Sequence, residues 1–368
     1  MPVTNNHLLT ITQVSIKYCF SVGVFLCWLQ VNAQDKKDIF KFSDYPVKHI
    51  ELPLPGKAVI AGIPFNRIMV KDARPDSNAI LLNKYDYYTI DNFETVAEQY
   101  FNNALATQNI ADTNKHLVIF IKKLWITRQY DWEEPSEDEN DLRRGKWLGG
   151  LLFKADCFLK TDSVYNPLFS YDTTFVSDNK NMVDAAAVMI DSCFKMLLQK
   201  IIRFQSKSLS SQLKKMTADE VEKYNNNRFQ IPVLKNNELK RGVYSTFKEF
   251  KNNNPAYTDF TVQKATLTDE LYVKDAAGKE RLTRNVWGYC DGKNVFIKSA
   301  DNFFMLNRVG NSFYMRGTKK IKSRKQVKVS SILMDGVLVG SIKPHSKKVK
   351  FNIEYLPYQL DMDTGDIY

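Results

Sequence analysis

Histidine, the side chain that most often moves protons or holds a metal near neutral pH, is nearly missing: four in 368 residues. His7, His49, His116 and His345 stand far apart, so there is no H-E-x-x-H and no spaced ligand pair. G-x-S-x-G, a Walker phosphate loop and a G-x-G-x-x-G after a strand are also absent, which removes the usual signatures of serine hydrolases, P-loop enzymes and dinucleotide-binding oxidoreductases. Cysteine is sparse, five in all, and no C-x-x-C occurs. Cys157, Cys193 and Cys290 lie in apolar contexts (LLFKADCFL, MIDSCFKML, VWGYCDG) that suit buried thiols. One disulfide with a leftover thiol is the alternative. A cysteine nucleophile would need a histidine brought to it by the fold, and nothing marks a pair of carboxylates for catalysis. The expectation is a protein with no catalytic residue, no metal and no cofactor; an unrecognised hydrolase ranks third among the readings.

A membrane-spanning apolar run is lacking too. Tyr18 to Leu29, YCFSVGVFLCWL, has 12 residues against the ~20 that a helical crossing takes. It follows Lys17, the single charge of the first 33 residues, and precedes VNAQD. A charged start, an apolar stretch and an A-x-A-like site cutting after Ala33 read as a signal peptide over 1–33, so the mature chain is exported. An uncleaved anchor is one alternative. A lipoprotein signal at Cys27 is the other, and Leu26 before it and Trp28 after it do not suit that motif.

What is present suits a large core: 23 Phe and 18 Tyr in a chain long enough for about two domains. HIELPLP and AVIAGIPF read as short strands at a sheet margin, cut by proline. In FNRIMVKDARPDS, Ile68 and Val70 alternate, and Arg74-Pro75-Asp76 ends the strand. Phe93, Val96, Ala97, Tyr100, Phe101, Ala104 and Leu105 make one helical stripe, with Asp91 and Glu94 resembling a capping box. KHLVIFIKKLWITRQ, KWLGGLLFKADCFLK and YNPLFSYDTTFVS form a strand meander. A long helix follows, with Val183, Ala186, Ile190, Cys193, Leu197, Ile201 and Phe204 on one side. The fold class is α+β: an N-terminal β-α-β-β-β-α antiparallel sheet with helices on one face, over 34–226, then a mostly antiparallel β domain over 227–368. A short helix capped by Thr217 and Glu220 precedes the Asn run at the boundary. In the second half, Ser245 or Thr246 caps a helix carrying Phe247 and Phe250. Strands LYVKD, VWGY, NVFIKS, FFMLN and SFYMRG follow, a half-open sheet or small barrel.

Charge is unevenly placed. The net is +11, and Arg316 to Lys350 hold eleven Lys and Arg against Asp335 alone. The rest of the mature chain is near neutral. The apolar part of this window, SSILMDGVLVGSI, has 13 residues, and Asp335-Gly336 is a hairpin turn signal. With Val327 and Val329 alternating before it and Val349, Phe351, Ile353 and Tyr355 after it, the window reads as a basic hairpin finishing the second sheet. Lys319, Lys320, Lys322, Arg324, Lys325, Lys328, Lys343, Lys347, Lys348 and Lys350 are the candidate contacts for an anionic membrane surface, lipid or envelope glycan. Protection of strand edges by lysine is the plainer use of such residues. An exported protein rarely meets nucleic acid, which sets that partner aside; protein partners are not identified. The acids from Asp131 to Asp141 have neither the alternation nor the glycine of a calcium loop, and read as a solvated loop. Arg74, between Asp72 and Asp76, fixes its turn by pairing with one of them, or grips an anionic group. Trp287, Tyr289, Phe304 and Tyr314 are the candidate aromatic platform for a glycan or a protein; the plainer reading puts at least half of such aromatics in the core.

RGVYSTFKEFKNNNP and the closing LDMDTGDIY resemble segments of uncharacterised exported proteins of Gram-negative bacteria. The β-α-β-β-β-α order of the first domain resembles that of the LPS-assembly lipoprotein and transport-auxiliary lipoproteins. That second resemblance implies a small sandwich serving as a periplasmic or outer-membrane-associated accessory in envelope assembly or lipid transport, and it transfers no site residue. The chain departs from that group in lacking its lipobox and in having a second domain.

Overall fold

The structure, a computed structural model, describes residues 40–55, 65–105, 114–132, 145–177, 182–205, 215–236, 238–264, 269–275, 277–299, 302–318, 333–334, 337–338 and 355–368. The segment read as a signal peptide, the acidic stretch from 133 onward, most of AVIAGIPF and all ten lysines and arginines from Lys319 to Lys350 lie outside the described residues. The first part folds as β1 (Val47–His49), β2 (Arg67–Asp72), β3 (Leu81–Leu82), β4 (Tyr87–Thr89), α1 (Phe93–Ala104), β5 (Lys115–Trp132), β6 (Gly145–Thr161), β7 (Val164–Ser177), α2 (Met182–Gln205), β8 (Met216–Thr217) and α3 (Ala218–Asn227). These strands form an eight-stranded sheet in the order β1-β4-β3-β5-β6-β7-β8, with β2 beside the first half of β5.

The α+β class and the β-α-β-β-β-α core stand as β2, α1, β5, β6, β7 and α2. The sheet is mixed, however, because β2 and β3 run parallel to β5, and β1 parallel to β4. Helix α1 lies in the crossover from β2 to β5, and a crossover returns the next strand in the same direction. Residues 51–55 of HIELPLP carry no regular structure, as Pro53 and Pro55 would dictate. Both long helices turn their apolar stripes to the same face of the sheet. Phe101 of α1 and Phe194 of α2 meet at 4.8 Å, and Phe194 reaches Phe153 of β6 at 6.0 Å.

Register explains the other face. Leu117, Ile119 and Ile121 point to the helices, and so do Leu124 and Ile126. The apolar phase shifts by one because a β-bulge falls between Ile121 and Lys123 in the pairing of β5 with β6. Lys122 is the extra residue, and it emerges on the face opposite α1 and α2.

Glu94 is not a capping residue. The residue preceding α1, Asn92, is left-handed (φ 48°) and makes no side-chain cap. The free edge of β2 claims the helix's polar side chains instead. Asn102 Oδ1 accepts from the Ile68 N–H at 2.9 Å, Glu98 Oε1 from Val70 at 3.1 Å and Glu94 Oε1 from Asp72 at 2.7 Å. Three residues spaced by four on α1 thus pair alternate backbone donors that would otherwise recruit another strand.

The second part comprises α4 (Pro232–Lys235), β9 (Gly242–Tyr244), α5 (Phe247–Lys251), β10 (Phe260–Gln263), β11 (Glu270–Lys274), β12 (Glu280–Thr283), β13 (Gly288–Cys290), β14 (Val295–Ser299), β15 (Asn302–Val309), β16 (Ser312–Thr318), β17 (Leu333–Met334), β18 (Val337–Leu338) and β19 (Tyr355–Leu360). Thr246 caps α5 by accepting from the Glu249 N–H, and Thr217 with Glu220 forms a full capping box on α3. An open antiparallel sheet runs β19-β16-β15-β14-β13-β9, and β10-β11-β12 form a second sheet. One face of the open sheet packs on Val233, Leu234 and Phe250 of α4 and α5. The other packs partly on Phe260, Leu271 and Val273 of the three-stranded sheet. The basic hairpin does not finish this sheet among the described residues. β17 and β18 pair with each other on either side of Asp335-Gly336, and β19 is the strand that closes against β16.

Removing an edge acceptor should be measurable. Glu98→Ala is expected to lower unfolding free energy by about 1–2 kcal/mol in urea titration. Lys71→Ala, from an exposed pair, should change it by less than ~0.5 kcal/mol.

Candidate functional site

The face of the first sheet opposite α1 and α2 supports the second part of the chain, and a crevice of about 50 Å3 lies in that seam. Its floor comes from the bulge. Lys122 (8% exposed) extends to Asp156 (4% exposed) on β6 and forms a buried ion pair. Asp156 Oδ1 also accepts from Ser170 Oγ, its cross-strand neighbour on β7, at 2.6 Å. Asp156 Oδ2 accepts from the Tyr224 hydroxyl of α3 at 3.1 Å, and the Lys122 ammonium sits 4.2 Å from that ring's centre. Burial alone would push the Asp156 carboxyl up. Lys122, Ser170 and Tyr224 outweigh burial and hold it below its ordinary value of 3.8.

Arg228, just past α3, closes the floor on one side. Its two terminal nitrogens donate to backbone carbonyls, Nη1 to Lys122 at 3.3 Å and Nη2 to Ala73. Arg74 closes the other side. Its Nε and Nη2 grip both oxygens of Asp72 at 2.8 Å each, so the turn-fixing reading of Arg74 holds. Asp76, the third member of that turn, uses one oxygen to accept from the Asn78 N–H at 2.8 Å and the other from the Tyr314 hydroxyl at 2.5 Å.

The upper wall is the second sheet and the tail after it. Tyr314 of β16 is fully buried against Trp125, Leu152 and Phe40, whose ring stacks on it at 5.0 Å. Beyond β19 the chain turns sharply, with the Gly365 N–H donating to the Asp361 carbonyl at 2.8 Å. This turn brings Asp361 to Lys123 at 2.5 Å and Asp363 to Lys154 at 3.5 Å. Burial tends to raise the Asp363 carboxyl, but Lys154, Lys123 and Arg228 hold it below its ordinary value. LDMDTGDIY therefore works as a two-acid clasp on the first sheet.

The four candidate platform aromatics do not share a surface. Trp287 stacks on Phe250 at 4.4 Å in the helix-side core, where Phe304 also packs. Tyr289 stacks on Phe296 at 4.7 Å on the opposite face of the sheet, and Tyr314 is in the seam. Strand alternation separates them. The ten basic candidates lie outside the described residues. The thiols of Cys157, Cys193 and Cys290 are free and buried, and burial pushes all three upward. The sequence marks pieces of the seam, the Asp72-Arg74-Asp76 turn, Tyr314 and LDMDTGDIY, but not their meeting. The Lys122-Lys123 doublet, where the apolar phase of β5 changes, is a further local signal.

No protein-family model matches the chain, and no curated protein does. A solved structure described as "Crystal structure of uncharacterized protein" is similar over 43% of this chain and 99% of its own, at 8% identity and a TM-score of 0.24. Likeness at that level supports no argument about fold or function.

Two outcomes test the floor. Asp156→Ala, which strands the Lys122 ammonium, should cost about 3–5 kcal/mol in urea unfolding, whereas the paired change Lys122→Met with Asp156→Leu should cost much less. Because the folded carboxyls of Asp156 and Asp363 titrate below the unfolded value of 3.8, they add stability above that pH and lose it as pH falls through their folded values. The urea midpoint should hold steady from neutral pH to about 5 and drop below about 4. Asp363→Asn should flatten that drop.

Proposed function

We propose that this is an exported accessory protein of the bacterial envelope, acting by contact and not by catalysis, whose basic segment makes a salt-sensitive attachment to anionic membrane lipid. One observation carries the reading. Thr318 at the end of β16 pairs with Tyr355 at the start of β19, so residues 319–354 leave and rejoin the sheet at neighbouring positions. The chain's positive excess is concentrated in that single excursion. Several lysines on the sheets are paired with acids: Lys48 with Asp86, Lys71 with Glu94, Lys122 with Asp156, Lys123 with Asp361. Near an anionic bilayer each unpaired Lys or Arg contributes about 1 kcal/mol, within a Debye length of the surface. Export rests on the reading of residues 1–33. The buried, upward-shifted thiols favour a binding role over nucleophilic chemistry. A glycan platform has less support, because its four aromatics are spread over three cores.

Sedimentation of the mature chain with phosphatidylserine-containing vesicles, against neutral vesicles, checks the reading. Binding should need the anionic lipid and fade as salt rises. Changing Lys319, Lys320, Lys322 and Lys325 together to Gln should weaken it roughly tenfold or more. Changing Lys48 and Lys71 to Gln should leave it unaltered. Equal binding to both vesicle types would remove the proposal.

A further inference from the structure

The seam crevice has its own chemistry, independent of the basic segment. Three buried N–H groups on residues that line it find no hydrogen-bond partner among the described residues: Arg74 Nη1, Trp125 Nε1 and Arg228 Nε. The Arg74 side chain is 4% exposed and Trp125 is 4% exposed. Buried donors left without acceptors are uncommon, since each forfeits a hydrogen bond it made to water. Here all three are donors, and two belong to guanidinium groups. Among the described residues, no buried side-chain acceptor lining the crevice is left unpaired in the same way. A neutral ligand with mixed polarity would need both kinds.

Apolar side chains such as Ala79, Leu152 and Met362 form part of the remaining wall, beside the carboxylates of Asp76, Asp361 and Asp363. The space of about 50 Å3 admits a few water-sized groups, at roughly 10–15 Å3 each, which is the scale of a carboxylate or phosphate headgroup. The charge around the crevice is mixed, and Asp363, Asp156, Asp72 and Asp361 all lie near Arg228. The lining acids Asp76, Asp361 and Asp363 are engaged by Tyr314, Lys123 and Lys154, whereas Asp72 holds one side of Arg74 only and Arg228 donates to carbonyls. We infer that the crevice is a binding site for an oxyanion, carboxylate or phosphate, borne on an apolar stem. Arg74, Arg228 and Trp125 donate to the oxyanion, and the apolar wall takes the stem.

The test uses the full mature chain labelled with 15N at tryptophan. The Trp125 indole resonance is identified by its loss in Trp125→Phe. Octanoate, octyl phosphate, inorganic phosphate and octanol are titrated separately, all below micelle-forming concentration and at matched ionic strength. The expected result is a saturable shift of the Trp125 indole signal with octanoate, octyl phosphate or both, and weaker binding of inorganic phosphate. Which of the two amphiphiles binds names the source of the oxyanion. By calorimetry, Trp125→Phe, which keeps an aromatic ring in the wall, should weaken binding about tenfold, the effect of one hydrogen bond to a charged group. Arg228→Gln should abolish it; should that variant not fold, Trp125→Phe still decides. The inference is overturned if no anion moves the indole signal, so that the crevice holds water only. It is equally overturned if octanol matches the anions, if inorganic phosphate binds as well as octyl phosphate, or if affinity is unchanged in Trp125→Phe.

Discussion

The ion pair between Lys122 and Asp156 is the constraint around which the rest of the seam is arranged. Taking an ammonium and a carboxylate out of water costs several kcal/mol for each ion. The pair is tolerable because its lone pairs are matched: Asp156 accepts from Lys122, Ser170 and Tyr224. That set demands specific neighbours. Tyr224 must arrive from α3, so the capping box at Thr217 that starts this helix also aims the hydroxyl. Arg228 then follows at the helix end and ties Ala73 and the bulge carbonyl together. Phe229, the next residue, already packs in the second core. The chain therefore crosses from one core to the other over a point that the bulge determines. An apolar pair of equal volume would pack as well, but it would not specify which helix side chain must lie above it.

Two kinds of contact hold the two parts together, and they differ in what they supply. The patch of Phe40, Trp125, Leu152 and Tyr314 removes large apolar surface from water, at about 25 cal/mol per Å2. The pairs of Lys123 with Asp361 and Lys154 with Asp363 lie at its rim, with the second more exposed than the first. The exposed pair of Lys154 with Asp363 adds little net stability, whereas the carboxylate of Asp361 is buried. Their direction is what matters, since two acids two residues apart on one turn must meet two lysines on different strands. Sliding the parts by one strand residue, about 3.3 Å, would break both. The bond from Tyr314 to Asp76 fixes the same alignment from within the apolar patch.

The sequence disclosed elements better than it disclosed their meetings. Periodicity is a local property, so the stripe on α1, the meander of β5 to β7 and the cap on α5 were all readable. Glu94 was misread because a capping box and an edge acceptor look alike in sequence: both are an acid early in a helix. Only the path of β2 beside α1 separates them. The mixed sheet was missed for a related reason, since direction is set by connections and not by residue pattern. The platform aromatics were legible as strand residues but not by face, which depends on the register of each strand. Asp76 with Tyr314, and Lys123 with Asp361, are each 238 positions apart. Neither pairing leaves any local trace.

The connection from β16 to β19 obeys a different rule from everything around it. Its ends are joined by the pairing of Thr318 with Tyr355, so the sheet closes whatever the intervening residues are. Loop-closure entropy grows only with the logarithm of length, so a long excursion costs little more than a short one. Ten Lys and Arg fall within this connection, between 319 and 350. The crevice stands at the opposite extreme. Its guanidinium groups are desolvated, so any anion they accept would feel a strong, short-range field with little screening. Lysines facing an anionic surface through water would act at about a Debye length, roughly 8 Å at physiological salt, and without regard to shape. A protein carrying both could be drawn to an anionic surface by one and discriminate among the molecules found there by the other. The two steps require separate structures, because solvation, which gives the first its reach, is what the second must exclude.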